Sequence, residues 1–546
     1  MPSLDFATPY PSARMPVMAR NVVATSQPLA VAAGVDALRG GGNAVDAAVA
    51  AAITLTVVEP SSNGIGGDAF AVVWDGARPH GLNASGRSPA NASLDDFAGL
   101  DEIPLRGWGA VTVPGCVGAW AELSRRFGRL PFARLFDAAI GYARDGFAVA
   151  PFTAADWARA PRDIAVDAFP DFAPFLPDGR APKAGEVFRF PAQADTLAEI
   201  ARSDGESFYR GDIAERIADA ASAAGAKLSR DDLDAHRCDW SELLSHTYDS
   251  RHCGEITLHE MPPNGQGLAA LIALGIIERH GIAQYEIDSP DFFHLQIEAM
   301  KLSLADAHRY IADADHLEFP PQELLAPEYI AQRAAMIDMR AAGDPDCGAP
   351  ARGDTVYLTT ADARGMMVSF IQSNYHDFGC GVVVPGTGIN LHNRGVGFNL
   401  TRGHPNCFAP NKRPFHTILP GFVTRGDDAL MSFGVMGGPM QAQGHTQMVV
   451  RVCDYGQNPQ SASDAPRWQV VEGNRVALEA GVPTAVADEL ARRGHRLHRF
   501  DQHDGFLSMG GAQLIYKTDG GYIAGSEHRK DGLAAGFCAR AADPCA

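Results

Sequence analysis

The stretch Gly353-Asp354-Thr355-Val356-Tyr357-Leu358-Thr359-Thr360 marks a change of character along the chain. Before it, Asp338 to Gly353 is rich in Asp, Gly, Ala and Pro and has no hydrophobic period, which reads as an exposed linker. From Thr355 to Thr360 the residues are β-branched or aromatic, the composition of a strand. Asp362 to Gly365 supplies a turn and Met366 to Gln372 a second strand, so a β-hairpin is expected with a threonine at its head. Taken by itself, a threonine opening a strand is ordinary.

Working outward, further strands are expected at Gly381 to Val384, His416 to Val423 and Leu430 to Gly434, then a helix from near Gly438 through Val450. On the N-terminal side, residues 1 to 24 read as an extended lead-in and Gln27 to Arg39 as a helix stopped by Gly40-Gly41-Gly42. Asn43 can cap a second helix made almost wholly of apolar residues from Ala44 onward, as expected of a buried helix. Pro60 closes it. The loop Ser61-Ser62-Asn63-Gly64-Ile65-Gly66-Gly67 leads into a strand from Ala69 to Trp74. The region from about Trp120 to Ile337 reads as mostly helical, with helices at Cys116 to Phe127, Pro131 to Asp145, Ala192 to Ser203, Gly211 to Ala224 and Pro290 to Ile311.

Composition narrows the function. The chain has 546 residues, 46 % hydrophobic and 20 % charged, within the globular range. Its formal net charge is −19, which argues against binding nucleic acid or an anionic membrane. Met1 to Leu29 shows no secretory pattern, and the apolar run Ala44 to Val58 is too short to span a bilayer, so the expectation is a cytoplasmic protein. Nine scattered cysteines form no CxxC pair and fit free thiols. No metal-ligand spacing appears among the cysteines or the 18 histidines, and neither metal nor cofactor is expected. The glycines Gly64 to Gly67 run from a helix into a strand, the reverse of a dinucleotide fingerprint. No GxSxG elbow supports a serine hydrolase.

Together the blocks of sequence resemble the γ-glutamyltransferase family of N-terminal-nucleophile hydrolases. They are Gly41-Gly42-Asn43-Ala44-Val45-Asp46, Val58-Glu59-Pro60, Gly64-Ile65-Gly66-Gly67-Asp68, Val113-Pro114-Gly115, Phe127-Gly128-Arg129-Leu130-Pro131, Phe378-Gly379-Cys380-Gly381, Pro385-Gly386-Thr387-Gly388, Pro410-Asn411-Lys412-Arg413-Pro414, Met436-Gly437-Gly438 and Asp464-Ala465-Pro466-Arg467. They span most of the chain in the family's order. The resemblance implies an α/β fold, a four-layer αββα sandwich, made as a precursor that cuts itself between Asp354 and Thr355. Residues 1–354 would then form a large subunit and 355–546 a small one, joined as a heterodimer and open to pairing of heterodimers. Thr355 would be the nucleophile. Its freed α-amine, with an ordinary pKa of ~7.7–8.0, would serve as base for its own hydroxyl. Ser373 would be the second hydroxyl beside it, and the backbone N–H groups of Gly437 and Gly438 would form the oxyanion hole.

The substrate pocket departs from the family. Tyr375 stands where an asparagine is usual, Gly397 where an aspartate pairs with the substrate amine, and His416-Thr417 where paired serines follow Lys-Arg-Pro. The carboxylate-binding arginine aligns near Ser85, with Arg87 two residues on. Arg87 and Arg394, with Asn393 beside it, are the candidate carboxylate binders, since a guanidinium fork fits a carboxylate. The expected activity is amide cleavage through a threonyl ester, with γ-glutamyl compounds such as glutathione as default substrates. The alternatives are a small carboxylate-bearing amide of the oxamate type or an acylated β-lactam, and a catalytically inactive homologue.

Overall fold

The computed structural model describes residues 13–345, 354–500 and 508–538. Its centre is two seven-stranded sheets, all of whose neighbouring strands pair antiparallel. The first runs in the order Leu533–Phe537, Asn21–Thr25, Asp354–Ala361, Met367–Tyr375, Asp68–Trp74, Pro79–Asn83, Asp239–Ser241. The second runs Val17–Ala19, Gly521–Ser526, Gly511–Thr518, Asp428–Met436, Gly421–Arg425, Gly254–Glu260, Leu244–Ser250. Each sheet therefore draws strands from both sides of Asp354.

Alternation along the strands sets the layers, because successive side chains point to opposite faces. Phe70, Val72 and Trp74 face inward with Tyr357 and Ile371 and meet Phe422, Met436 and Ile515 of the second sheet. The rings of Trp74 and Phe422 stack at 5.9 Å. Ala69, Ala71 and Val73 face the other way, onto the helix Ala44–Val58. The second sheet turns Val423, Phe433 and Val435 outward onto Gly267–His280, Pro290–Tyr310 and Met440–Val449. The result is helix, sheet, sheet, helix: the four-layer αββα sandwich.

The helix Ala44–Val58 buries all 15 of its residues. Its start is fixed locally: Asn43 accepts from the Asp46 backbone at 3.0 Å, and Asp46 accepts from the Asn43 backbone at 2.8 Å. The expected hairpin forms, with Leu358 opposite Phe370 and Thr360 opposite Val368. None of the described helices is long and apolar enough to cross a membrane.

Three expectations need correction. The region read as mostly helical contains the strands Asp239–Ser241, Leu244–Ser250 and Gly254–Glu260. Their sequences are polar on one face, so no apolar run announces them. Gly381 to Val384 is a loop with a single bridge from Val383 to Asn390. The left-handed backbone of Gly379, Gly381, Gly386 and Gly388 bends this stretch out of any extended ladder. The strand expected from His416 begins at Gly421, after Pro420, which has no N–H to give a ladder. The end of the linker before Asp354, residues 346–353, lies outside the described residues.

Candidate active site

Thr355 is the second residue of the strand Asp354–Ala361 and is fully buried. The ladder is irregular here: Asp354 pairs with Tyr375 but Val356 pairs with Gln372, so the partner strand has an extra residue opposite Thr355. Such bulges re-aim side chains beside functional sites. Thr355 Oγ1 donates to Ser373 Oγ at 3.1 Å, and Ser373 Oγ also accepts from the Tyr375 backbone at 2.7 Å. Tyr375 has a φ of 77°, a left-handed conformation costing a bulky residue ~1–3 kcal/mol. Its ring lies 4.3 Å from that of His376, centroid to centroid.

Arg394 lies over the Tyr375 ring, its guanidinium carbon 4.2 Å from the centroid. A short 3₁₀ turn, Arg394–Gly397, carries it, and it is 1 % exposed. Nη1 donates to Thr417 Oγ1 at 2.9 Å, while Nε and Nη2 have no hydrogen-bond partner among the described residues. Burial draws the guanidinium down to about 10, opposed by Tyr375 and Asp68. Contacts thus run unbroken from Thr355 through Ser373 and Tyr375 to Arg394 and Thr417.

Asp68 pairs in register with Ser373 on the neighbouring strand and points the same way. Its Oδ2 lies 3.2 Å from His416 Nε2, and its Oδ1 accepts from the Gly115 backbone at 3.1 Å. His416 Nδ1 accepts from the Ile418 backbone at 3.4 Å, which assigns the proton to Nε2. Burial pushes the Asp68 carboxyl up to about 7 against the pull of Arg394. Burial and Arg394 together hold His416 well below its ordinary range, and His392, 3.9 Å from Asp68, down to about 3. Both imidazoles are neutral, so their contacts with Asp68 are hydrogen-bonding and dipolar rather than ion pairs.

Gly437 and Gly438 follow the inner strand Asp428–Met436 with φ of 124° and 55°, values open to glycine. They lie at the end of the strand that faces the one carrying Thr355. Thr359 Oγ1 meets Ser432 Oγ, and Tyr357 covers Gly434, where an added Cβ would come within 2.4 Å of the ring. One further two-residue step along each strand reaches Thr355 and Met436, the residue before the glycine pair. Gln266 fixes that pair: its Nε2 donates to Gly438 O at 2.9 Å and to Thr417 O at 2.6 Å.

The structure thus brings together Thr355, Ser373, Tyr375, Arg394, His416, Thr417 and the two glycines. Asn393 stands apart from these contacts. Its side chain bonds the His376 backbone, Leu105 O and Gly379 O, tying loops together. Arg87 is held by Asp313 at 2.6 Å and by Asn411 O at 2.8 Å, in a depression shared with His236, Asp239 and Arg413. It joins none of the contacts around Arg394. Sequence reasoning missed Asp68 and Gln266. Asp68 closes the glycine loop Gly64 to Gly67, a signal that was readable; Gln266 had none.

Two antiparallel sheets stacked between helical layers, with a threonine hydroxyl at the head of a central strand, define an N-terminal-nucleophile hydrolase. The gamma-glutamyltranspeptidase family model matches residues 30–537. The chain is 35 % identical over 531 residues to the glutathione hydrolase-like YwrD proenzyme of Bacillus subtilis, covering 95 % of this chain and 98 % of that one. It is 37 % identical over 514 residues to the oxamate amidohydrolase proenzyme of Klebsiella pneumoniae, covering 92 % and 95 %. Among solved structures, the cephalosporin acylase from Bacillus halodurans superposes with a TM-score of 0.93 at 44 % identity, over 99 % of this chain and 100 % of that one. The chain belongs to the gamma-glutamyltranspeptidase family, and it is an enzyme of that family.

Proposed function

We propose that this enzyme is an autoprocessing amidohydrolase for small amides that carry a carboxylate and no ammonium group. The precursor cuts the Asp354/Thr355 bond: Thr355 Oγ1 attacks the Asp354 carbonyl, the acyl group moves from nitrogen to oxygen, and water hydrolyses the ester. The new α-amine then accepts the hydroxyl proton as Thr355 attacks the substrate carbonyl. Ser373 holds the hydroxyl in line. The N–H groups of Gly437 and Gly438 receive the oxyanion, and a mobile water or acceptor amine releases the acyl group.

One observation carries the substrate reading. Arg394 is buried one contact chain from the nucleophile with two N–H positions unspent, and leaving such donors unpaired costs ~1–3 kcal/mol. A carboxylate satisfies both. Among the described residues around Arg394, no acid stands ready for an ammonium. At Gly397 an added Cβ would meet Phe415 O at 2.4 Å, so that position has no room for a side chain. Asp68 is committed to His416 and the Gly115 backbone. A relative named oxamate amidohydrolase supports the same reading.

The test has two stages. On a denaturing gel the wild type gives two fragments and Thr355→Ala one uncut chain. The wild type then releases ammonia from oxamate, or acid from a glutaryl amide, with a higher kcat/KM than for a γ-glutamyl anilide. A single band in the wild type removes the nucleophile assignment. Preference for the anilide removes the substrate assignment and leaves the nucleophile standing.

A further inference from the structure

Away from the active site, two cysteines on opposite sides of residue 354 meet. Cys253 lies in the turn between the strands Leu244–Ser250 and Gly254–Glu260, and Cys453 in the π-helical turn Val450–Asp454 that continues the helix Met440–Val449. The backbones are joined: the His252 and Cys253 N–H groups both donate to Cys453 O, at 2.9 and 3.1 Å. Main-chain segments bonded this way bring their Cα atoms into the ~4.4–6.8 Å range that a disulfide needs. We propose that Cys253 and Cys453 are a disulfide-forming pair that joins the large and small fragments covalently when the enzyme meets an oxidant.

The two sulfurs are unequal, which orders the reaction. The neighbouring Cys453, then Tyr516 at 3.7 Å and the charges of His252 and Arg425, draw the Cys253 thiol below its ordinary range against the opposing effect of burial. The neighbouring Cys253, together with burial and Asp454, pushes Cys453 up. Cys253 is 8 % exposed, Cys453 fully buried. Cys253 is therefore the attacking thiolate and Cys453 the resolving thiol. With a small disulfide such as glutathione disulfide, Cys253 attacks one sulfur, the S–S bond breaks, and one glutathione leaves as thiol. Cys453 loses its proton, attacks the Cys253 sulfur, and expels the second glutathione. The two cysteines lose two electrons and two protons, and the oxidant becomes two thiols.

That the bond joins two chains rests on the cleavage proposed above; that it forms does not. The mature enzyme is incubated with glutathione disulfide, free thiols are alkylated, and the products are run on a non-reducing denaturing gel and mapped by peptide mass. The expected result is a single species of the full 58.0 kDa that dithiothreitol returns to two bands, with a linked peptide pair containing Cys253 and Cys453. Cys253→Ser and Cys453→Ala each prevent it. Peptide mapping of the wild type alone decides the pairing if a variant misfolds, and reads the same bond in an uncut chain. Absence of the Cys253–Cys453 peptide at millimolar glutathione disulfide overturns the proposal, as does a linked species that survives in Cys253→Ser.

Discussion

On the proposed substrate reading, Arg394 and Asp68 would set the terms of binding at the scale of single residues. Replacing Arg394 with Gln removes the fork while keeping a polar group. KM for the preferred carboxylated amide rises at least about thirtyfold, the ~2 kcal/mol lower bound for losing a buried charged contact, and kcat changes less. Steady-state kinetics on the mature variant check this. Asp68 makes binding depend on pH. Its carboxyl is raised to about 7, so below that pH it is neutral and the Arg394 charge is open to the substrate. Above it, ionised Asp68 competes for that charge. A carboxylate ligand therefore binds with proton uptake, and its affinity falls as pH rises through about 7, by at most about tenfold per unit for one proton. His416 and His392 stay neutral across this window. Titration calorimetry of the carboxylate product in two buffers of different ionisation enthalpy measures the proton directly. A constant affinity from pH 6 to 8.5 would exclude Asp68 as its acceptor.

Among the elements, contact between the two inner strands matters most for the nucleophile. Gly434 lets the Tyr357 ring lie flat on the second sheet, two residues from Thr355. Gly434→Ala pushes that ring away, an overpacking cost of ~1–3 kcal/mol, and displaces the strand that carries the nucleophile. Self-cleavage of the variant is slower than that of the wild type on a time-course gel, while the protein still folds. Elements whose ends are written locally were legible in the sequence. The cap at Asn43 and the hairpin turn at Asp362 each sit within four residues of what they fix. The strands Leu244–Ser250 and Gly254–Glu260 were not legible, because only pairing with each other and with Gly421–Arg425 makes them strands. The site divides in the same way. Thr355 and the two glycines stood out through the family's motifs. The contact of Asp68 with His416 spans 348 positions, and the Gln266 bridge to Gly438 spans 172; no local pattern encodes either. As sequence, Arg87 stood nearer the family's arginine position than Arg394 did; in the structure, Asp313 and Asn411 O hold Arg87 while Arg394 is buried with unspent donors.

For the whole molecule, what counts is how the chain on either side of Asp354 is distributed. In the first sheet, Asp354–Ala361 lies between Asn21–Thr25 on one side and Met367–Tyr375 on the other. In the second, Gly421–Arg425 pairs with Gly254–Glu260, and Val17–Ala19 with Gly521–Ser526. Separating the two fragments would strip both sheets of central hydrogen bonds and open every apolar layer. Mature enzyme made with isotope-labelled fragments, mixed with unlabelled enzyme and followed by native mass spectrometry, shows no mixed species on the timescale of days. Appearance of hybrids would mean that the halves part more easily than these ladders allow. A further consequence concerns time rather than structure. The interleaved sheets are assembled by one chain whose halves are tethered, and the proposed cut would remove the tether after assembly. Once unfolded, the pieces must meet by diffusion and weave two sheets without it, a far slower search. The working enzyme therefore persists because it opens slowly, and its useful lifetime is a rate of unfolding rather than an equilibrium constant.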